Sequence, residues 1–236
     1  MRPNPARKAA FAAAVMAVAL IAAGCHSHKS PDSFPSDVEL INATPESSGL
    51  QLDVDGHKIC DGISYGDSSG RQGLKPGRYD AAVIVHRRDA DDIRLDAHAD
   101  IAPHVDAKAI VYGPVMPGHA PDLAVISSPR LTRGQQKDLD KQDEAQVRVF
   151  NAVAGAPSID VLVNHIVAFK SVAEGERSTP IPLAALPYEW TAKPAGNAYQ
   201  PYAAPETIKL DAGKSYVVVV MGDAAHETFQ IKAFGG

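Results

Sequence analysis

The chain has no excess of basic residues: 23 Lys and Arg stand against 28 Asp and Glu in 236 residues, a formal net charge of -5. That balance excludes the electrostatic footprint of a nucleic-acid binder and of a polybasic lipid-binding surface. Cysteine is nearly absent, with two residues, so the chain is not a disulfide-stapled scaffold. No long stretch holds a helical hydrophobic period. The one long apolar run, residues 9–23, is too short to span a bilayer comfortably. Nor does any histidine fall in the His-Glu-x-x-His or Cys-paired spacing of a zinc site. His57, His86, His98, His104, His119, His165 and His226 are scattered, and only His26 and His28 lie close together. No metal or cofactor is expected.

What is present begins at the N-terminus. Arg2, Arg7 and Lys8 form a basic region, residues 9–23 an apolar stretch of signal-peptide length, and Ile21-Ala22-Ala23-Gly24 places small residues ahead of Cys25. The segment resembles the lipobox of secreted bacterial lipoproteins, although Ala22 stands where leucine is commonest. The resemblance implies a signal peptide over residues 1–24, lipidation of Cys25 and attachment to a membrane. Two or more acyl chains make such an anchor stable, since burial contributes about 0.8 kcal/mol per CH₂. His26 rather than aspartate after the cysteine is similar to the outer-membrane form of the lipoprotein sorting rule of enteric bacteria, and the resemblance implies the outer membrane of the cell envelope. Without Arg2, Arg7 and Lys8 the chain has 20 basic against 28 acidic residues. With Cys25 acylated, Cys60 has no partner and reads as a buried core thiol. Residues 25–36, rich in Ser and Pro, read as a flexible tether.

From there the pattern is β. Runs of four to nine residues rich in Val, Ile, Leu and Tyr alternate with clusters of Gly, Pro, Asp and Asn. A fixed offset recurs along them: Val38 matches Val147, Asn42-Ala43 matches Asn151-Ala152, Val54 matches Val163, Gly66 matches Gly175, Leu74 matches Leu183 and Tyr79 matches Tyr188. Every pair is 109 residues apart, and the offset returns at Val111-Tyr112-Gly113 against Val220-Met221-Gly222. A duplicated domain follows. The expected fold is all-β, two tandem immunoglobulin-like antiparallel β-sandwiches, copy one over residues 37–128 and copy two over 147–236. Between them residues 129–146 read as a polar linker, with a short helix as the alternative. Asp55-Gly56 in copy one and Asn164-His165 in copy two are expected to make type I′ hairpin turns.

Val147 to Ala152, Ile159 to Val163, Leu183 to Tyr188 and Ala212 to Gly222 together resemble the secreted bacterial domain of unknown function 4397. Copy one carries a weaker version in Leu52 to Gly56, Lys75 to Tyr79 and Ala109 to Gly113. Lys108-Ala109 departs from the expected Gly-Lys, and Leu186-Pro187 from the expected Pro-Gly. The resemblance implies a sandwich module of the cell surface with no assigned reaction.

Few residues point to chemistry. Gly66-Asp67-Ser68-Ser69-Gly70 fits the G-x-S-x-G pattern of a nucleophile elbow, but Gly73, Pro76 and Gly77 break the helix that must follow, and the matching position in copy two is Arg177. Asp89, Asp91, Asp92, Asp96 and Asp100 supply oxygens of the kind calcium binds, yet Arg87, Arg88 and Arg94 are interleaved with them. Trp190, Asn197, Tyr199 and Tyr202 frame a loop suited to recognising a glycan or a partner protein, with core packing of Trp190 as the competing reading. The leading expectation is a lipid-anchored envelope protein for binding, adhesion or scaffolding, without catalysis. A hydrolase using Ser68 or an Asp/His pair, and a small-ligand or metal carrier, are the alternatives.

Overall fold

The alternation of inward apolar and outward polar side chains sets most of the strands. A computed structural model describes residues 36–115, 119–196, 205–225 and 229–235. Cys25, Asn197, Tyr199 and Tyr202 lie outside the described residues. Copy one contains β1 (Ser36–Ala43), β2 (Gly49–Val54), β3 (His57–Ile63), β4 (Gln72–Leu74), β5 (Gly77–His86), β6 (Ile93–Ile101), β7 (Val105–Tyr112) and β8 (Asp122–Pro129). Copy two contains β9 (Glu144–Ala154), β10 (Ser158–Val163), β11 (Ile166–Ala173), β12 (Ile181–Ala184), β13 (Pro187–Pro194), β14 (Glu206–Lys209), β15 (Ser215–Asp223) and β16 (Gln230–Gly235). The sheets have strand orders β4-β1-β7-β8 and β3-β2-β5-β6 in copy one, and β12-β9-β15-β16 and β11-β10-β13-β14 in copy two. The two orders are the same once copy two is renumbered, so the fold is all-β, two tandem sandwiches of like topology.

The sequence offset reappears in the hydrogen bonds. Asn42, fully buried, donates from Nδ2 to the Ile63 carbonyl at 2.9 Å and accepts at Oδ1 from the Thr44 N–H at 3.0 Å. Asn151, equally buried, does the same with Val172 at 3.1 Å and Val153 at 3.0 Å. The Leu40 N–H donates to Ser69 Oγ and the Val149 N–H to Ser178 Oγ, both at 2.9 Å. Both hairpins turn through positive φ at two consecutive residues, Asp55-Gly56 (50° and 76°) and Asn164-His165 (48° and 67°), as a type I′ turn requires.

Two features depart from the expected arrangement. The sheets containing β1 and β9 are mixed: β1 runs parallel to β7, with Leu40 opposite Ala109, and β9 runs parallel to β15, with Val149 opposite Val218. The segment read as a linker is the capped helix α1 (Arg133–Lys141) followed by the start of β9. Thr132 accepts at its hydroxyl from the Gln135 N–H while Gln135 Oε1 accepts from the Thr132 N–H, a reciprocal capping box.

The copies are also not two separate beads. The described residues, from 36 to 235, belong to one compact unit. Leu40, Leu50, Leu52, Val83, Val85 and Val111 fill the interior of copy one, and Val149, Ile159, Val161, Trp190, Val218 and Val220 that of copy two. A third core holds Ile41, Ala43, Ile110 and Ile126 of copy one against Phe150, Ala152, Val217, Val219, Met221 and Phe234 of copy two. Alternate residues of the same strands therefore point into different cores, and four sheets stack as layers. The eight larger side chains of the middle core contribute roughly 12–24 kcal/mol, at about 1.5–3 kcal/mol for each one buried. Gly66 and Gly175 lie on either side of this seam, each at positive φ. A Cβ on Gly66 would collide with the Gln230 side chain, and one on Gly175 with Tyr112, so each glycine lets a loop approach the opposite copy.

Candidate functional site

The residues singled out from sequence do not gather in one place. Trp190 is fully buried on β13 and stacks on Phe169 with ring centroids 6.3 Å apart. It belongs to the interior of copy two and is withdrawn as a surface contact. The cause is strand parity: Trp190 lies opposite Val163, and both sit on the inward face.

Ser68 sits in the loop between β3 and β4, where its hydroxyl donates to Glu39 Oε1 at 2.6 Å and accepts from the Gly70 N–H at 3.3 Å. The other oxygen of Glu39 accepts from Lys108 Nζ at 2.5 Å, and both of these side chains are almost wholly buried. Glu39 is thus engaged on both oxygens, and Ser68 completes a buried polar knot. The loop follows the strand without turning into a helix, so the elbow pattern has no elbow.

Asp61, Asp80, Asp92, Asp96 and Asp100 of copy one find basic partners on the outer face of its sheet β3-β2-β5-β6. His86 meets Asp92 at 2.9 Å through Nδ1 and Asp61 at 3.3 Å through Nε2, clasping the ends of β3 and β5 to the loop before β6. Asp96 pairs with Arg94, Asp100 with Arg78 and Asp80 with His98. A hydrogen bond from Lys58 foremost, and one from His86, hold the Asp61 carboxyl below the usual carboxylate value; His86 does the same for Asp92. Among the described residues no three His, Cys, Asp or Glu side chains are grouped to hold a metal ion. Cys60 is half-buried against the copy-one core, and burial pushes its thiol above the ordinary value. A raised thiol is a poor nucleophile at neutral pH.

The outer face of copy two has a different chemistry. Leu162 lies between Val167 on β11 and Thr191 on β13, and the neighbouring Ile166 is 72% exposed. Asp160 is buried on the same strand, accepting from the Ser171 N–H at 2.8 Å and the Gly196 N–H at 3.4 Å. It fixes the bulge of β11 and the exit from β13. Beside this face a cleft of about 420 Å³ opens between β11 and the segment 176–181. Lys170, Ser171, Glu176, Arg177 and Thr179 supply its polar groups, and Ala168 and Ile181 its apolar ones. Position 148, on the neighbouring strand β9, is half-buried, and Arg177 bridges to Phe150 two residues on. Burial first, and the positive charge of Arg177 second, pull the Arg148 guanidinium below its usual value. This cleft is absent from the sequence reading, which singles out Arg177 only as the counterpart of Ser68.

Among solved structures, the chain is similar to the Bacillus anthracis TIE protein at 10% identity, covering 80% of this chain and 34% of that one with a TM-score of 0.26. The chain thus spans about a third of that protein's length, and a likeness this slight carries no argument. Comparison with the curated proteins gives no match. The family comparison does find one: residues 145–234, from the second residue of β9 to the last but one of β16, match the domain of unknown function DUF4397. Copy two is therefore a DUF4397-like domain, and copy one repeats its strand order in front of it.

Proposed function

We propose that the protein is a lipid-anchored envelope protein, attached through Cys25 to the outer membrane, that binds a glycan or partner protein through copy two and catalyses no reaction. The observation that carries this reading is the contrast between the two outermost faces of one fused body. Copy one closes its face with aspartate pairs to arginine and histidine. Copy two leaves Ile166 and Val167 exposed beside a polar cleft. An exposed apolar patch rimmed by polar groups is the usual mark of a recognition surface. Ser68, the one residue in a hydrolase-like pattern, is committed to Glu39.

The test is fractionation and crosslinking of the protein in its own envelope. The wild-type chain is expected in the membrane fraction and Cys25→Ser in the soluble one, with crosslinks falling on the copy-two face. An unchanged membrane fraction for Cys25→Ser overturns the anchor. Hydrolytic turnover that disappears in Ser68→Ala overturns the non-catalytic reading.

A further inference from the structure

Comparing the two copies position by position exposes a shift from acidic or neutral to basic. Glu39 of copy one corresponds to Arg148, Asp61 to Lys170 and Ser68 to Arg177, each 109 residues on. The surrounding frame is unchanged. Ile41 bridges Ser68 as Phe150 bridges Arg177, and Ser69 and Ser178 accept the same backbone N–H from the first strand of their copies. In copy one the acids are neutralised from within: Lys108 and the Ser68 hydroxyl hold Glu39, while Lys58 and His86 hold Asp61. Lys108 is replaced by Val217 in copy two. Among the described residues no carboxylate forms an ion pair with Lys170 or Arg177, and Arg148 is influenced by Arg177 rather than by an acid. Glu176 is the one acid on the cleft lining, and its charge acts on Tyr112 across the seam.

Lys170 and Arg177 line one cleft without an acidic ion-pair partner among the described residues, an arrangement that a bound anion would complete. Arginine is the side chain whose fork of donors matches phosphate and carboxylate oxygens. The cleft volume of about 420 Å³ exceeds what a bare inorganic anion fills and lies within the range of small-ligand sites. Hydroxyls at Ser171 and Thr179 and the apolar edges of Ala168 and Ile181 suit a polyhydroxylated ring better than an aliphatic chain.

We infer that the cleft between β11 and the segment 176–181 binds an anionic sugar, whose phosphate or carboxylate is held by Arg177 and Lys170. This names the ligand class within the binding function proposed above. The site does not depend on how the chain is anchored, so fractionation of Cys25→Ser and the experiment below fail separately.

The test is calorimetric titration of the purified chain with glucose 6-phosphate, glucuronate and glucose at low salt. The expected result is that at least one of the two anionic sugars binds ten times or more tighter than glucose, that added salt weakens the binding, and that Arg177→Ser or Lys170→Asp lowers affinity at least tenfold. Thermal melting of the free variants supplies the control. Arg177→Ser, which restores the copy-one residue and removes a cation that has no ion-pair partner among the described residues, is expected to melt no lower than the parent. Equal affinity for all three sugars overturns the inference, as does unchanged binding by both variants. Loss of binding accompanied by a lower melting temperature in Arg177→Ser also overturns it, since Arg177 then serves the fold.

Discussion

Replacing Phe150 with alanine tests whether the two copies are one folding unit. Phe150 is 1% exposed, and its surroundings belong to both copies: Tyr112 of copy one meets its ring edge to face, centroids 5.5 Å apart at 81°. If the seam holds the copies together, Phe150→Ala leaves a cavity and costs about 3–5 kcal/mol, as truncations of buried phenylalanine do. If the copies were independent, Phe150 would lie on an outer face of copy two, and its truncation would change stability by no more than about 0.5 kcal/mol. Urea unfolding separates the two cases. The parent is expected to unfold in a single transition followed identically by tryptophan fluorescence, which reports on copy two, and by circular dichroism, which reports on both. The variant is expected to lower the midpoint in that same transition. A parent that unfolds in two steps, or a loss below about 1 kcal/mol in the variant, refutes the fused body.

The paired buried amides offer a second test. Asn42→Ala strips a hydrogen bond from two backbone groups and Asn151→Ala from three, and each is expected to cost about 2–4 kcal/mol by the same unfolding measurement, at one to a few kcal/mol per buried unsatisfied group. Near-neutral effects at either position defeat the claim that the repeat is held by a common knot. A third concerns acid. Asp61 and Asp92 have carboxyls lowered from 3.8, so the stability they contribute is complete above that value and disappears as pH falls through the depressed folded values. His86→Gln is expected to flatten the dependence of melting temperature on pH between about 2 and 5. Parallel curves for parent and variant count against the clasp.

How much of this was legible depends on which periodicity a residue obeys. The type I′ turns at Asp55-Gly56 and Asn164-His165 are local chemistry, and the offset linking Asn42 to Asn151 is arithmetic, so both can be read directly. Val217-Val218-Val219-Val220 shows no alternation, because one face of β15 packs inside copy two and the other against copy one. A continuous apolar run is what a strand covered on both sides requires. Periodicity alone does not say what covers the second side. The same ambiguity hides the parallel pairing of β1 with β7, since parallel and antiparallel neighbours bury the same residues. Trp190 looks like a loop aromatic until its parity with Val163 places it inward. The capping box at Thr132 and Gln135 is readable, but no apolar stripe on α1 supports it. The cleft is the least visible feature, because Lys170 and Arg177 stand on two segments, β11 and 176–181, that only the fold brings together.

The parallel pairing of β1 with β7 also governs how the body resists a pull. Force entering at Ser36 runs along the strand axis, and seven register pairs from Asp37–Asp106 to Ala43–Tyr112 lie side by side across that line of load. To extract β1 they must slide together rather than open one by one as a zipper does. With the N-terminus held, as in the anchoring proposed above, a pull on copy two would load this joint in shear.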